Sequence, residues 1–252
     1  MKRVSYSLRW AIAPLAGTTA ALATTLAATL ATTLTAAMPG QAQTAQSPFT
    51  NTADFASFQL ALFDDVTEGY WAKAFVDALL EQDVLEGFPN GDFRPNDPLT
   101  WGQFAAMLSQ AFDDLPPSRN LEGFPSGINR SHWSYSSLES LYQIGFDFPA
   151  INPDQTLTRL EILSLLVDRF DFEPSGGADV VDIYSDINSV PAENRALIAA
   201  ATTHGLMVNH PNARMIEPSR VATRGEMAAM LYQTLTQLEL VSPIESPFVA
   251  AP

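Results

Sequence analysis

Residues 63–112 read FDDVTEGYWAKAFVDALLEQDVLEGFPNGDFRPNDPLTWGQFAAMLSQAF, and this stretch decides the fold. Trp71, Phe75, Val76 and Leu79 fall at helical spacing, and Gly87 follows as the expected stop. Pro89-Asn90-Gly91 is a turn signal, with Phe93 as the anchor of a loop that closes on Arg94-Pro95. Thr100 then opens a second helix, with Gln103 three residues on as a weaker form of the capping box.

The same pattern returns twice. Residues 128–170 contain HWSYSSLESLYQIGFDFPAINPDQTLTRLEILSLLVDRF, with Trp133, Leu138 and Leu141 on the first helix and Gly145 as its stop. Residues 180–238 contain VPAENRALIAAATTHGLMVNHPNARMIEPSRVATRGEMAAMLYQTL, with Leu197, Ile198 and Ala201 on the first helix and Gly205 ending it. Thr158-Arg-Leu-Glu161 and Thr223-Arg-Gly-Glu226 are full capping boxes, in which the Thr hydroxyl and the Glu carboxylate satisfy each other's backbone N–H groups. Behind them Phe104/Met107/Leu108, Ile162/Leu165/Leu166 and Met227/Met230/Leu231 mark inward faces. A single helix pair of this size cannot bury a sufficient core, so the three copies are expected to share one. The fold class is all-α. Residues 113–127 and 171–179 read as linkers, residues 43–60 as a lead, and residues 241–252, with three prolines, as a frayed tail.

The whole chain of 252 residues carries a formal charge of −15 and is 46% hydrophobic but only 16% charged. That balance excludes a disordered chain and argues against non-specific nucleic-acid binding, which needs a Lys/Arg surface. No nucleic-acid partner is expected. With no cysteine there are no disulfides, thiolate metal sites or cysteine nucleophiles. Lys2, Arg3 and Arg9 precede an uncharged run from Trp10 to Met38, the pattern of an export signal, with a plausible cut after Ala42. An uncleaved membrane anchor is the alternative, since the run is long enough to span a bilayer. Residues 1–42 hold three basic and no acidic residues, so without them the charge deepens from −15 to −18.

These residues are similar to a known family. The chain resembles a triplet of S-layer homology repeats, most closely in Phe63, Asp65-Val66, Trp71-Ala72, the Gly87–Pro95 loop and Pro98-Leu-Thr100. The resemblance covers roughly residues 61–240, as repeats at 61–113, 128–170 and 180–238. It implies a pseudo-threefold bundle of helix-loop-helix repeats with grooves between neighbours. It also implies an exported envelope protein, peptidoglycan-associated in the periplasm or at the outer membrane, held on a wall polysaccharide that often bears pyruvate ketals. By position, the family's ligand-binding arginine becomes Arg159 and Arg224; the first copy departs from the pattern, with Trp101 in place of Arg and Gln103 in place of Glu.

The residues support that reading independently. A cation in the first turn of a helix opposes the macrodipole by a few tenths of a kcal/mol, yet Arg159 and Arg224 both sit immediately after their caps. A guanidinium fork beside free helix N–H groups suits one carboxylate, and three grooves would add avidity on a polymer. Two readings stay open here: an arginine facing a ligand, or one paired with a carboxylate of a neighbouring repeat. The candidate polysaccharide-binding set is Arg159, Arg224, Trp101, Glu161, Glu226, Trp71, Trp133 and Asp65. Trp101 leaves the first copy's groove either inactive or reading sugar by stacking, whereas Trp71 and Trp133 suit either stacking or the core, and Asp65 and Asp186 suit either a ligand or the ordering of a loop.

No catalytic motif, cofactor or metal site is expected. His204 and His210 lack the spacing of a helical metal pair, and Asn90-Gly-Asp92 lacks that of a calcium loop. The chain reads as a non-enzyme whose partner is a peptidoglycan-associated polysaccharide. The competing reading is a module that docks an outer-membrane or S-layer protein, or assembles with itself.

Overall fold

A computed structural model describes residues 63–176 and 178–250. The stretch read as an export signal and the lead at 43–60 lie outside the described residues. Among the described residues, six α-helices run in three pairs: α1 (Lys73–Glu81) and α2 (Trp101–Ala111), α3 (Tyr135–Gln143) and α4 (Arg159–Phe170), α5 (Arg195–Thr203) and α6 (Arg224–Gln237). Short 3-10 turns at Ala178–Ile183, Ile187–Ser189 and Ala192–Asn194 lead into α5. Among the described residues, no helix is long and apolar enough to cross a membrane.

All three second helices open with the expected capping box, the Gln103 version included: each Thr side chain accepts from the third backbone N–H and the third side chain reaches back. The first helices are stopped differently. Gly145 (φ 105°) and Gly205 (φ 67°) follow α3 and α5 in the left-handed region, but after α1 this place is taken by Asp83 (φ 55°). Gly87 is therefore not a stop. It lies under Phe63, where a Cβ would come within 2.5 Å of the ring.

Leu99, Leu157 and Ala222, each one residue before its cap, meet at the centre of the molecule. Leu99 N–H donates to Ala222 O (2.9 Å), Ala222 N–H to Leu157 O (2.9 Å) and Leu157 N–H to Leu99 O (3.0 Å). The ring closes on itself, and all three side chains are fully buried. The helices follow the same order around it, since α2 packs on α3, α4 on α5 and α6 on α1. Each unit thus completes its core with the next one.

The two termini of the pattern depart from expectation. Residues Arg224 through Leu235 of α6 are buried on every face rather than on one stripe. The C-terminal residues supply part of that cover and are not frayed: Asn209 N–H donates to Phe248 O and Ala250 N–H to Met207 O, both at 2.8 Å. The segment at 113–127 is likewise tied down, with Arg119 donating to Tyr142 O and pairing with Asp147.

Candidate functional site

The residue after each capping threonine enters the loop of the following unit through one repeated pair of backbone bonds. Trp101 and Gly102 donate to Gln155 O and Pro153 O, Arg159 and Leu160 to Arg220 O and Pro218 O, and Arg224 and Gly225 to Asp97 O and Pro95 O. Trp101, Arg159 and Arg224 are therefore structurally equivalent, although their surroundings differ.

Arg159 is 0% exposed. Its Nε donates to Ile216 O (2.7 Å), one terminal nitrogen to Glu226 Oε1 (2.8 Å), and the other to Val208 O (3.1 Å) and Asn209 Oδ1. Glu226 is also held by Arg220 and by the Thr223 N–H. Burial lowers the pKa of Arg159, and the Glu226 charge works against that loss. For Glu226, burial pushes the carboxyl up, but bonds from Arg220 and the charge of Arg159 outweigh it and hold the group below its ordinary value. Of the two readings left open by the sequence, internal pairing is the one realised at Arg159. As carbohydrate ligands, Arg159 and Glu226 are corrected: both are consumed inside the fold.

Arg224 repeats one of these bonds and lacks the others. It is 5% exposed, and its Nε donates to Phe93 O (2.8 Å), the counterpart of Ile216 O. The guanidinium lies 4.9 Å from the Phe88 ring and 4.6 Å from the Phe93 ring. No hydrogen-bond acceptor or ion-pair partner meets its terminal nitrogens among the described residues. Burial lowers its pKa to about 10, although Asp97 and Asp65 favour the charge. Sequence accounts for the difference. Gln103 holds in the first capping box the place that Glu226 holds in the third. Counting from the bonds Val84 N–H to Leu79 O and Leu206 N–H to Ala201 O, Gly87 stands where Asn209 stands. The two side-chain acceptors that meet the terminal nitrogens of Arg159 are thus replaced around Arg224 by an amide and a hydrogen.

Arg224 lines a cavity of about 440 Å³ shared with Phe88, Gln103, Met107, Gln110 and Trp133. Trp133 precedes α3 and is 61% exposed, which removes it from the core. The groove therefore joins an indole platform, two amides and a cation whose terminal nitrogens meet no acceptor among the described residues. A flat ring with an apolar face and one carboxylate matches that set. Phe88 and Gln110 were not singled out by the sequence and Met107 read only as part of an inward face, whereas the Trp101 and Gln103 departures in the first box marked that copy as unlike the others.

The remaining candidates take other roles. Trp101 is 6% exposed against Phe104 and Phe148, so it is a core residue and not a stacking surface. Glu161 is exposed, and its Oε2 accepts from the Thr158 N–H and hydroxyl as the capping partner. Asp65 accepts from Phe93 N–H (2.9 Å) and Arg94 N–H (2.6 Å), and Asp186 does the same for Ile216 and Glu217. Both order loops whose next residue, Arg94 or Glu217, has positive φ. Trp71 precedes α1 and stacks on His210 at 5.0 Å, with Phe248 edge-on at 5.8 Å. His132 bridges Ser134 Oγ (2.9 Å) and Asp154 (3.1 Å), but Ser134 is fully buried beneath Gly102 and cannot reach a substrate. No cluster of potential metal ligands occurs among the described residues.

A family profile described as S-layer homology domain matches residues 62–105. Among known proteins, the chain is similar to an amylopullulanase of Thermoanaerobacterium thermosulfurigenes, at 25% identity over 195 residues, covering 74% of this chain and 10% of that protein. It is similar to the outer membrane protein SlpA of Thermus thermophilus at 38% over 66 residues, 26% of this chain and 7% of that protein. A cellulosome-anchoring protein of Acetivibrio thermocellus is 24% identical over 130 residues, 46% of this chain and 27% of that protein. The chain spans a tenth or less of the first two and about a quarter of the third.

Proposed function

We propose that this chain, which matches an S-layer homology profile over residues 62–105, is a non-catalytic cell-surface anchoring module that attaches to a peptidoglycan-linked polysaccharide through one open groove, with Arg224 binding an acidic substituent. We further propose that the three helix pairs are three repeats of that family, and that the chain works in the cell envelope after export.

The observation that carries the reading is the contrast between two equivalent arginines. A buried guanidinium normally has its donors satisfied, and Arg159 does. Arg224 keeps its charge in a desolvated place with its terminal donors unpaired, and the groove above it opens to solvent beside Trp133. A charge-assisted bond from such a site contributes about 1.5–3 kcal/mol. A single groove of this kind replaces the three-groove avidity that the repeats suggested. A pyruvate ketal supplies the right group, a carboxylate rigidly attached to a sugar ring.

Binding to purified wall sacculi, before and after mild acid hydrolysis of ketals, tests this. Retention should fall at least tenfold when the ketals are removed, and equally in Arg224→Ala. Undiminished retention on glycan-stripped sacculi would overturn the carbohydrate reading in favour of protein docking.

A further inference from the structure

Residues 85–91, Leu-Glu-Gly-Phe-Pro-Asn-Gly, recur at 121–127 as Leu-Glu-Gly-Phe-Pro-Ser-Gly, with serine in place of Asn90. Both stretches end on a glycine in the left-handed region, Gly91 at φ 87° and Gly127 at φ 94°. A serine therefore serves this turn as well as an asparagine does. Asn90 is nonetheless the only asparagine in the chain that is followed by glycine. The pairing matters chemically, since a glycine has no Cβ to keep its nitrogen away from the side-chain carbonyl before it. A Cβ on Gly91 would meet nothing within 4 Å, and both residues are exposed.

Asp92 prepares the amide for attack. Its backbone N–H donates to Asn90 Oδ1 (3.4 Å), the oxygen that gathers charge when the carbonyl carbon is attacked. Its carboxylate accepts from Asn90 Nδ2, the atom that would leave. The Gly91 N–H donates to Phe88 O (2.8 Å), a single bond in an exposed turn that opens before the attack.

We propose that Asn90 is a self-modifying site, at which the folded chain converts its own side-chain amide into a carboxylate. The Gly91 nitrogen gives its proton to solvent and bonds to Asn90 Cγ. The Cγ–Nδ2 bond breaks, and Nδ2 takes a proton from water and leaves as ammonia. A second water then opens the cyclic imide at either carbonyl, leaving aspartate or isoaspartate, the isomer whose backbone runs through the side chain. Neither an oxidant nor a cofactor enters the balance.

The change falls beside the open groove. Phe88 and Pro89 line that cavity, and the Phe88 ring lies against two guanidinium groups, Arg94 at 3.9 Å and Arg224 at 4.9 Å. A carboxylate at position 90 replaces the Asn90–Asp92 side-chain bond with two like charges in contact, which repel. The turn that carries Phe88 is loosened, and a negative charge is added two residues from the ring on which Arg224 lies. An ageing chain thereby loses its hold on an acidic polymer. That consequence rests on the carbohydrate reading of the groove, whereas the modification itself does not.

The test incubates the full chain in mildly alkaline buffer and maps its peptides by mass at intervals. Asn90 should gain one mass unit, divided between aspartate and isoaspartate, about tenfold faster than Asn188, which is also exposed but precedes serine. Asp92→Ala keeps the backbone donor and removes the carboxylate, and should slow the gain about threefold or more. Asn90→Ser should abolish it with the melting temperature unchanged, as Ser126 in the second copy of the turn foretells. An Asn90 that is still an amide when Asn188 has reacted overturns the proposal, and so does an Asp92→Ala chain that reacts as fast as the parent. Asn90→Asp, the aged form, should be retained on ketal-bearing sacculi severalfold less than Asn90→Ser; equal retention overturns the consequence drawn for the groove. Undiminished retention of Arg224→Ala would instead sink the carbohydrate reading and leave the mass change at Asn90 in place, so the two fail separately.

Discussion

Arg159 donates to Glu226 across 67 residues of sequence at 2.8 Å, and neither side chain reaches solvent to any useful extent. The pair joins the second unit to the third at the point where the sequence placed a candidate binding cation. Breaking one half of a buried pair leaves the other charge uncompensated, which costs about 3–5 kcal/mol. Glu226→Gln should therefore lower stability by that order in a denaturant titration, with the capping box retained through the amide. If unfolding shifts by less than about 1 kcal/mol, the pair is not what holds these units together.

The same pair sets an acid limit. The folded Glu226 carboxyl lies below its ordinary value, so its contribution is fully present above the unfolded pKa, near 4.3 for a glutamate, and is lost as pH falls through the lower folded value. Thermal stability of the parent should drop below about pH 4.3. In Glu226→Gln that segment of the profile should flatten, and identical acid limbs in the two proteins would contradict the assignment.

Arg224 carries the opposite signature. Its folded pKa is about 10 against an ordinary value of 12.5, so the charged form is disfavoured in the fold at neutral pH. That penalty is complete below pH 10 and is relieved as pH rises toward the unfolded value. Arg224→Met should stabilise the protein by about 1–3 kcal/mol while removing saccharide binding. A residue that loses function and gains stability on replacement is a binding residue, and a simple structural arginine would lose both.

The aromatic rim is separable from the fold. Trp133 is 61% exposed, so its removal takes little from the core. Trp133→Ala should weaken saccharide binding by about tenfold, the worth of one stacking contact, with the melting temperature within a degree or two of the parent. Quenching of Trp133 fluorescence by bound sugar gives a second readout.

The capping boxes made the bundle legible because they are local: a threonine, its third neighbour and an apolar stripe lie within a dozen residues. The site was less legible because its chemistry is not local. Whether an arginine is free depends on acceptors in another unit, Glu226 and Asn209 for Arg159, Gln103 and Gly87 for Arg224. Two arginines in the same box read alike until those partners are placed. The tryptophans misled for a similar reason. Trp71 and Trp133 stand at helical spacing but just ahead of helices that begin at Lys73 and Tyr135, so the period assigned them to a face they do not share. Three prolines suggested a loose tail, whereas an edge of backbone on the third loop gave it a strand partner.

Gln103 offers the sharpest test, because one atom separates it from the glutamate that pairs with Arg159 from the equivalent position. It lines the cavity with Arg224 and already caps α2 by accepting from the Thr100 N–H at 3.1 Å. In Gln103→Glu the cap should persist, since glutamate performs that task in the other two boxes. The new carboxylate would give Arg224 the counter-charge that Arg159 draws from Glu226. Stability should rise by about 1 kcal/mol or stay level, and retention on ketal-bearing sacculi should fall at least tenfold. Gly87 cannot be exchanged as freely, since a Cβ there meets Phe63 at 2.5 Å and Asp92 O at 2.9 Å. If Gln103→Glu folds as well as the parent and binds undiminished, Arg224 does not hold the acidic group, and the anchoring surface lies elsewhere on the bundle.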